Sequence, residues 1–92
     1  MNRLINIGFG NVVNFDKVVT IVNPDSSPAK RLVQRAKEEE RIIDATQGRR
    51  TKAILIMESN HLILSALQPD TLAGRSQADS QTGVRKEVRQ NE

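Results

Sequence analysis

Two near-continuous apolar runs, Val18–Val22 and Ala53–Met57, constrain the fold of this chain more than any other feature. Such runs are typical of strands buried on both faces, so the sheet that contains them needs a layer on each side. The sequence offers one clear amphipathic helix, which can cover one face only. We therefore expect a second copy of the chain to cover the other face. The alternative is a mixed, half-exposed sheet with apolar residues on its surface.

Shorter segments predict the remaining strands. Leu4–Gly8 is the first, and the Gly8–Asn11 sequence predicts a tight turn with positive φ angles, in which Phe9 packs onto the core. Val12 and Val13 then resume an extended run. Further along the chain, the apolar pattern predicts short strands at residues 42–46 and 61–66, and a helical turn at residues 68–72.

The main helix is predicted to span about residues 26–41. Ser27 can accept hydrogen bonds from the free N–H groups of the first turn, and Pro28 suits the first helical position. Four apolar residues recur at helical spacing and form one narrow face: Ala29, Leu32, Val33 and Ala36. Together these elements predict an α+β fold with a small, mostly antiparallel sheet and one main amphipathic helix.

The distribution of hydrophobic residues predicts a domain boundary after Leu72. Residues 1–72 hold 30 of the 34 hydrophobic residues, which makes one small domain near the lower limit for a self-sufficient core. Residues 73–92 are polar and aperiodic, so we expect a disordered tail or a weak helix there. Its cations are expected to be solvated charges, the alternative being a flexible DNA-binding arm: Arg75, Arg85, Lys86 and Arg89.

Composition narrows the compartment in which the chain is expected. The chain has no cysteine, so it has neither disulfides nor thiolate ligands, as is usual in a reducing compartment. The N-terminal apolar run is too short for a signal peptide, and no run approaches the roughly 18 apolar residues of a membrane span. We therefore expect a cytoplasmic protein with no membrane partner.

The residues that could carry catalysis do not form a recognisable set. Gly8 and Gly10 match part of a dinucleotide-binding loop, but the third glycine is missing and the segment leads into a strand. His61 is the only histidine, and the sequence offers it no orienting partner. Asp44 and Glu58 cannot be placed as a carboxylate pair. We therefore expect no enzymatic activity, no cofactor, no metal and no small-molecule substrate.

A basic segment lies on the connection between two apolar strands: Gly48, Arg49, Arg50, Thr51 and Lys52. Arginine side chains bind phosphates in a bidentate manner and can enter a narrow minor groove. The Thr51 hydroxyl and the Gly48 backbone N–H can add neutral hydrogen bonds to phosphates. The segment therefore predicts a phosphate-binding surface, for which Lys17 is a further candidate. The alternative is a solvated hairpin whose charges serve solubility.

Duplex DNA fits this surface better than RNA does. The formal net charge of +3 is small, so the location of the cations matters more than their sum. The chain has two phenylalanines and neither tyrosine nor tryptophan, which gives little support to stacking on single-stranded bases. The helix adds exposed cations on two flanks: Lys30, Lys37 and Arg41 on one, Arg31 and Arg35 on the other.

Five motifs, taken in order over residues 3–72, resemble the bacterial RemA family of extracellular-matrix regulatory proteins. They are Ile5–Asn11, Ser27-Pro28, Ile43–Thr46, Gly48–Thr51 and Ile63–Pro69. The resemblance implies a domain similar to the LytTR DNA-binding fold, assembled into a ring-shaped homo-oligomer. It also implies a protein that binds promoter DNA, associates with the nucleoid and activates matrix genes for biofilm formation.

The resemblance assigns roles to three basic residues. Arg49 and Arg50 match the arginines that contact DNA in the family, and Lys17 falls on a basic position where arginine is usual. Lysine keeps the charge at that position but lacks the bidentate fork. A ring would present Arg49, Arg50 and Lys52 once per subunit around its rim. The alternative is a non-enzymatic scaffold ring that binds an acidic protein partner through the same basic segment.

Overall fold

The computed structural model describes residues 3–80 as an α+β structure of six strands, two α-helices and one 3₁₀ turn. In chain order these are β1 (Leu4–Gly8), β2 (Asn11–Asn14), the 3₁₀ turn (Phe15–Lys17), β3 (Val18–Val22), α1 (Ser27–Glu38), β4 (Ile42–Asp44), β5 (Ala53–Met57), β6 (Leu62–Ser65) and α2 (Pro69–Ser80). The predicted α+β class is confirmed. The strands predicted at residues 42–46 and 61–66 are shorter, at three and four residues.

The main sheet has four strands in the order β3–β5–β6–β4. Strand β5 pairs antiparallel with both β3 and β6, whereas β4 pairs in parallel with β6. Strands β1 and β2 form a separate antiparallel hairpin. The sheet is therefore mostly antiparallel, as the sequence predicts, and β3 and β4 are its two edge strands.

Different parts of the same chain cover the two faces of the main sheet. On one face, Ala29 and Ala36 of α1 pack against side chains of β5 and β6, including Ile54. On the other face, the hairpin and α2 supply four buried residues: Ile5, Ile7, Val13 and Leu72. The expectation that only a second copy could cover this face is wrong. The alternating apolar residues of the hairpin provide a layer that the periodicity of single segments does not reveal.

Helix α1 is shorter than the predicted span of residues 26–41. Its N-cap is Ser26 rather than Ser27, because the Ser26 hydroxyl accepts a hydrogen bond from the Ala29 N–H at 3.2 Å. It ends at Glu38, and Glu40 takes a left-handed conformation with a φ of 57°. The N–H of Arg41 then donates to the carbonyl of Ala36 at 2.8 Å, which completes a Schellman motif.

Helix α2 is longer than the helical turn predicted at residues 68–72. Leu72 is fully buried against the hairpin, which stabilises the helix by about 2 kcal/mol. The Arg75 Nη1 donates to the carbonyl of Asn6 at 2.6 Å and holds the second turn of the helix there. Residues 73–80, which the sequence assigns to a disordered tail or a weak helix, are therefore helical. Arg85, Lys86 and Arg89 lie outside the described residues, and the division into domain and tail stays a prediction.

The buried Ser65 joins the hairpin to the main sheet. Its hydroxyl donates to the carbonyl of Ile7 at 2.8 Å and accepts from the N–H of Leu67 at 3.1 Å. The Asn11 side chain donates to the carbonyl of Gly8 at 3.0 Å and reaches that of Ala45 at 3.5 Å. These contacts place the hairpin turn beside the connection between β4 and β5, which carries the basic residues.

Candidate nucleic-acid interface

The connection between β4 and β5, residues 45–52, forms an exposed loop that we call the basic loop. Strand β6 fixes both of its ends through backbone hydrogen bonds. The N–H of Ala45 donates to the carbonyl of Leu64 at 2.9 Å, and the N–H of Lys52 donates to that of Ser65 at 2.8 Å. Since β6 lies between β4 and β5 in the sheet, the two ends of the loop are fixed on opposite sides of β6, and the loop crosses over the end of that strand.

Asp44 and Thr46 fix the first half of the basic loop. The Asp44 Oδ1 accepts from the Thr46 hydroxyl at 2.6 Å and from the Thr46 N–H at 2.8 Å. Hydrogen bonding from the Thr46 side chain, and then from its backbone, holds the pKa of Asp44 below its usual value of 3.8. Thr46 is buried, and its carbonyl accepts from the N–H of Arg49 at 3.0 Å. The chain therefore makes a closed turn before the two arginines.

Two consecutive left-handed residues complete this turn. Gln47 has a φ of 53° and Gly48 has a φ of 80°. A Cβ atom on Gly48 would meet no other atom within 4 Å, so the glycine serves the backbone conformation and not a close contact. The turn directs the following residues into solvent, where Arg49, Arg50 and Lys52 are exposed and Thr51 is half-buried.

The two arginines have different neighbours. The Arg49 guanidinium carbon lies 5.6 Å from the centroid of the Phe9 ring, in cation–π geometry. The Arg50 Nη2 lies 3.7 Å from the Asp25 Oδ1, and both side chains are at least 70% exposed. Such an exposed pair holds Arg50 only weakly. The expectation that Phe9 packs onto the core is wrong, because the ring lies beside Arg49 instead of against either buried cluster and is 46% exposed.

Lys17 lies apart from the basic loop. It precedes β3, which pairs antiparallel with β5 so that Val18 is opposite Met57. The basic loop precedes Ala53 at the other end of β5, roughly 13 Å away along the strand. The Lys17 Nζ lies 3.7 Å from the Glu58 Oε1 in an exposed ion pair. The structure therefore brings Gly48–Lys52 together and leaves Lys17 at a second, smaller basic site, which we call the Lys17 turn.

The residues considered for catalysis do not form a common site. The Nδ1 of His61 lies 2.7 Å from the Ser59 hydroxyl on the turn between β5 and β6. Asp44 is bound to Thr46 at the start of the basic loop, and Glu58 faces Lys17. Within residues 3–80, no group of three or more histidines or carboxylates could hold a metal ion. Neither helix in that range is long and apolar enough to cross a membrane.

Sequence reasoning missed three residues around the basic residues. Thr46 supports the loop, and the Asp44-x-Thr46 pattern, a common turn signal, could have indicated it. Asp25 faces Arg50, and Phe9 lies beside Arg49. No local pattern indicates the last two, because they come from segments 25 and 40 residues away in the chain.

Comparison with known proteins identifies the family. The model of the RemA-like family, described as extracellular matrix regulatory protein A-like, matches residues 4–75. A relative from Thermosipho melanesiensis is 65% identical over 75 residues, covering 82% of this chain and 80% of the relative. One from Pseudothermotoga lettingae is 63% identical, covering 82% of both, and one from Geobacillus kaustophilus is 53% identical, covering 82% and 86%. All three are named as candidate regulatory proteins, and the chain belongs to the RemA-like family.

Proposed function

We propose that this chain is a DNA-binding transcriptional regulator that binds duplex DNA through the basic loop. The observation that carries the proposal is the exposure of Arg49, Arg50 and Lys52 on a loop whose backbone is fixed at both ends. Cations on a fixed backbone lose less conformational freedom when they bind phosphates than cations on a mobile one. The regulatory names of the relatives and the family membership support a role in gene control.

The contacts that this proposal assigns are mainly to phosphates. Arg49 and Arg50 supply bidentate hydrogen bonds, and Lys52 adds a third charge. The Thr51 hydroxyl and the Gly48 N–H add neutral contacts that fix the register of the protein on the strand. Lys17 contacts phosphates from the other end of β5, on a DNA long enough to reach both sites. Contacts of this kind carry little sequence information by themselves.

Repetition in a ring would make these contacts strong enough for specific regulation. One subunit would neutralise about two or three phosphates and bind weakly, whereas several subunits on one DNA add their contacts. A ring needs two different complementary surfaces on each subunit. Exposed apolar side chains on the two different edge strands support this requirement, since Val19 of β3 is 64% exposed and Ile43 of β4 is 49% exposed.

The proposal also includes the finer features that the family resemblance implies. These are a LytTR-like arrangement of the domain, DNA that bends around the ring, and activation of extracellular-matrix genes. Arginines repeated around a rim would read spacing and minor-groove width more than a base code. Equal affinity for long flexible duplexes and for straight duplexes shorter than half the ring would contradict bending.

The experiment that tests the proposal is a DNA-binding titration at two salt concentrations, with wild type and Arg49→Ala/Arg50→Ala compared at equal oligomer mass. We expect wild-type affinity to fall steeply with salt and the variant to keep its mass but lose binding. If the wild type binds no duplex even at low salt, DNA binding is wrong, and the basic loop would then be tested for an acidic protein partner on a scaffold ring.

Self-association has its own test. Val19→Glu and Ile43→Glu each place a charge on an edge strand, which disfavours contact with another subunit. We expect either change to lower the mass measured by light scattering, while Ser27→Glu, an exposed position on α1 and not on an edge strand, leaves it unchanged. A wild-type protein that is monomeric at all concentrations would contradict the ring.

A further inference from the structure

We propose that Phe9 is a direct, non-ionic DNA contact whose ring packs against the sugar edge of a strand bound by the basic loop. This inference rests on the proposed DNA binding and adds a residue that charge alone does not indicate. A groove of about 470 Å³ lies between the hairpin turn and the basic loop. Besides Gly8, three apolar and three basic residues line it: Phe9, Ala66 and Leu67, with Arg49, Arg50 and Lys52.

The Phe9 ring lies at the surface of the hairpin turn and outside the core. Phe9 belongs to neither buried cluster of the described residues, whereas Phe15, the other phenylalanine, packs against one of them. It has a φ of 55°, a conformation that bulky residues rarely adopt. Gly8 and Gly10 on either side also have positive φ values, 111° and 78°. The hairpin turn therefore holds a large apolar ring on the surface in a strained conformation, and such strain clusters at functional sites.

The groove combines apolar and cationic surface, as a DNA strand combines sugars and phosphates. A DNA strand alternates charged phosphates with deoxyribose units whose exposed edges are largely C–H groups. The groove has the same two kinds of surface side by side, with an aromatic ring and Leu67 next to three cations. A strand that places phosphates on Arg49 and Arg50 would bring a sugar edge to Phe9. Burial of that edge adds a contact that does not depend on the base.

The cation–π contact between Arg49 and Phe9 links the apolar ring to the phosphate-binding cations. The guanidinium lies over the ring at 5.6 Å and its planar fork keeps N–H groups at its edge for a phosphate. A contact to unstacked bases is not needed, because a sugar edge is accessible in an intact duplex. The occupant that best fits charge and apolar surface together is thus the sugar–phosphate backbone of duplex DNA.

The test separates a non-ionic contact from an ionic one. Phe9→Asn removes the ring, and asparagine tolerates the left-handed conformation. We expect duplex affinity to fall about tenfold while the slope of log affinity against log salt stays that of wild type, because no phosphate contact is lost. Phe9→Leu should recover most of the affinity, and Leu32→Ala, a comparably exposed apolar residue on α1, should have no effect. All variants are compared at wild-type oligomer mass.

Two results would overturn the inference while DNA binding itself stands. Unchanged affinity in Phe9→Asn would show that the ring touches nothing on the DNA. A reduced salt slope that Phe9→Leu does not restore would show that Phe9 only orients Arg49. If Phe9→Asn loses its fold, Phe9→Gly repeats the test, because glycine accepts a positive φ at no steric cost. A wild type that binds no duplex would overturn the proposed function first and this inference with it.

Discussion

The basic loop and the Lys17 turn lie at opposite ends of β5 and present their cations in different ways. The basic loop is fixed by backbone hydrogen bonds from Ala45 and Lys52 to β6 and by the buried Thr46. The Lys17 turn is also fixed, because Val18 donates to the carbonyl of Phe15 and Glu58 to that of Lys17, but it carries a single cation in an exposed ion pair with Glu58. Both backbones are fixed, so the comparison teaches that the clustering of three cations on one segment distinguishes the basic loop from the Lys17 turn.

The largest effect should come from the arginines of the basic loop. Arg49→Ala/Arg50→Ala removes two charge-assisted contacts per subunit, so we expect affinity for a long duplex to fall by about 100-fold or more. Lys30→Ala/Arg31→Ala removes the same charge from two exposed positions on α1 and should cost less than about threefold. Equal losses in a filter-binding or anisotropy titration would mean that net charge, and not the basic loop, governs binding.

The support under the basic loop should have the next largest effect. Thr46→Val keeps the size of the side chain but removes the hydroxyl that donates to Asp44, so the loop loses part of its fixed geometry. We expect a loss of about 1 kcal/mol in the free energy of unfolding and roughly a fivefold loss of DNA affinity. Thr20→Val, at an exposed position on β3, is the matched control. A stability loss without a loss of affinity would show that the fixed backbone does not matter for binding.

The Lys17 turn should contribute less. Lys17→Ala removes a single cation that already faces the Glu58 carboxylate, and we expect affinity to fall by about threefold. Lys17→Arg should raise affinity slightly above wild type, because arginine adds the bidentate fork. A loss of affinity as large as that of the Arg49→Ala/Arg50→Ala variant would contradict the expectation that the basic loop contributes more to DNA binding than the Lys17 turn does.

Substitution of the acidic residues beside these cations should have a smaller effect, and it should raise DNA affinity instead of lowering it. Asp25→Asn frees Arg50, and Glu58→Gln frees Lys17, from exposed ion pairs that both measure 3.7 Å. We expect each change to raise DNA affinity by about twofold, since a competing carboxylate is removed. Lower affinity in either variant would indicate that the carboxylate holds its cation in the binding position.

The smallest effect is a dependence of stability on pH at the start of the basic loop. The pKa of Asp44 is lowered in the folded chain, so its contribution to stability is complete above the unfolded value of 3.8 and is lost as the pH falls through the folded value. The pKa of Asp16 is lowered in the same direction by its hydrogen bond with the Arg3 side chain. We expect urea midpoints to be level from pH 7 to about pH 5 and to fall below about pH 4. Asp44→Asn, which keeps an acceptor oxygen, should reduce that fall; an unchanged profile would contradict the role of the carboxylate.

Local sequence patterns were sufficient to predict most of the strands and helices and to find the basic segment. The near-continuous apolar runs located β3 and β5, and the Ser-Pro sequence located the start of α1 to within one residue. Local patterns could not predict which distant segments pair with one another. The layer that the hairpin and Leu72 add to the sheet depends on tertiary packing, as do the positions of Asp25 beside Arg50 and Phe9 beside Arg49. The distance of Lys17 from the basic loop follows from the antiparallel register of β3 and β5, which periodicity does not give.

The most direct test of the account is the salt dependence of binding to one long duplex, measured for wild type, Arg49→Ala/Arg50→Ala and Lys17→Ala at equal oligomer mass. The slope of log affinity against log salt counts the phosphates that each protein neutralises. We predict a steep slope for wild type, a large reduction when the basic loop loses its arginines and a small reduction for Lys17→Ala. A wild-type slope near zero, or a slope that Arg49→Ala/Arg50→Ala leaves unchanged, would contradict the central claim that the basic loop is the DNA-binding surface.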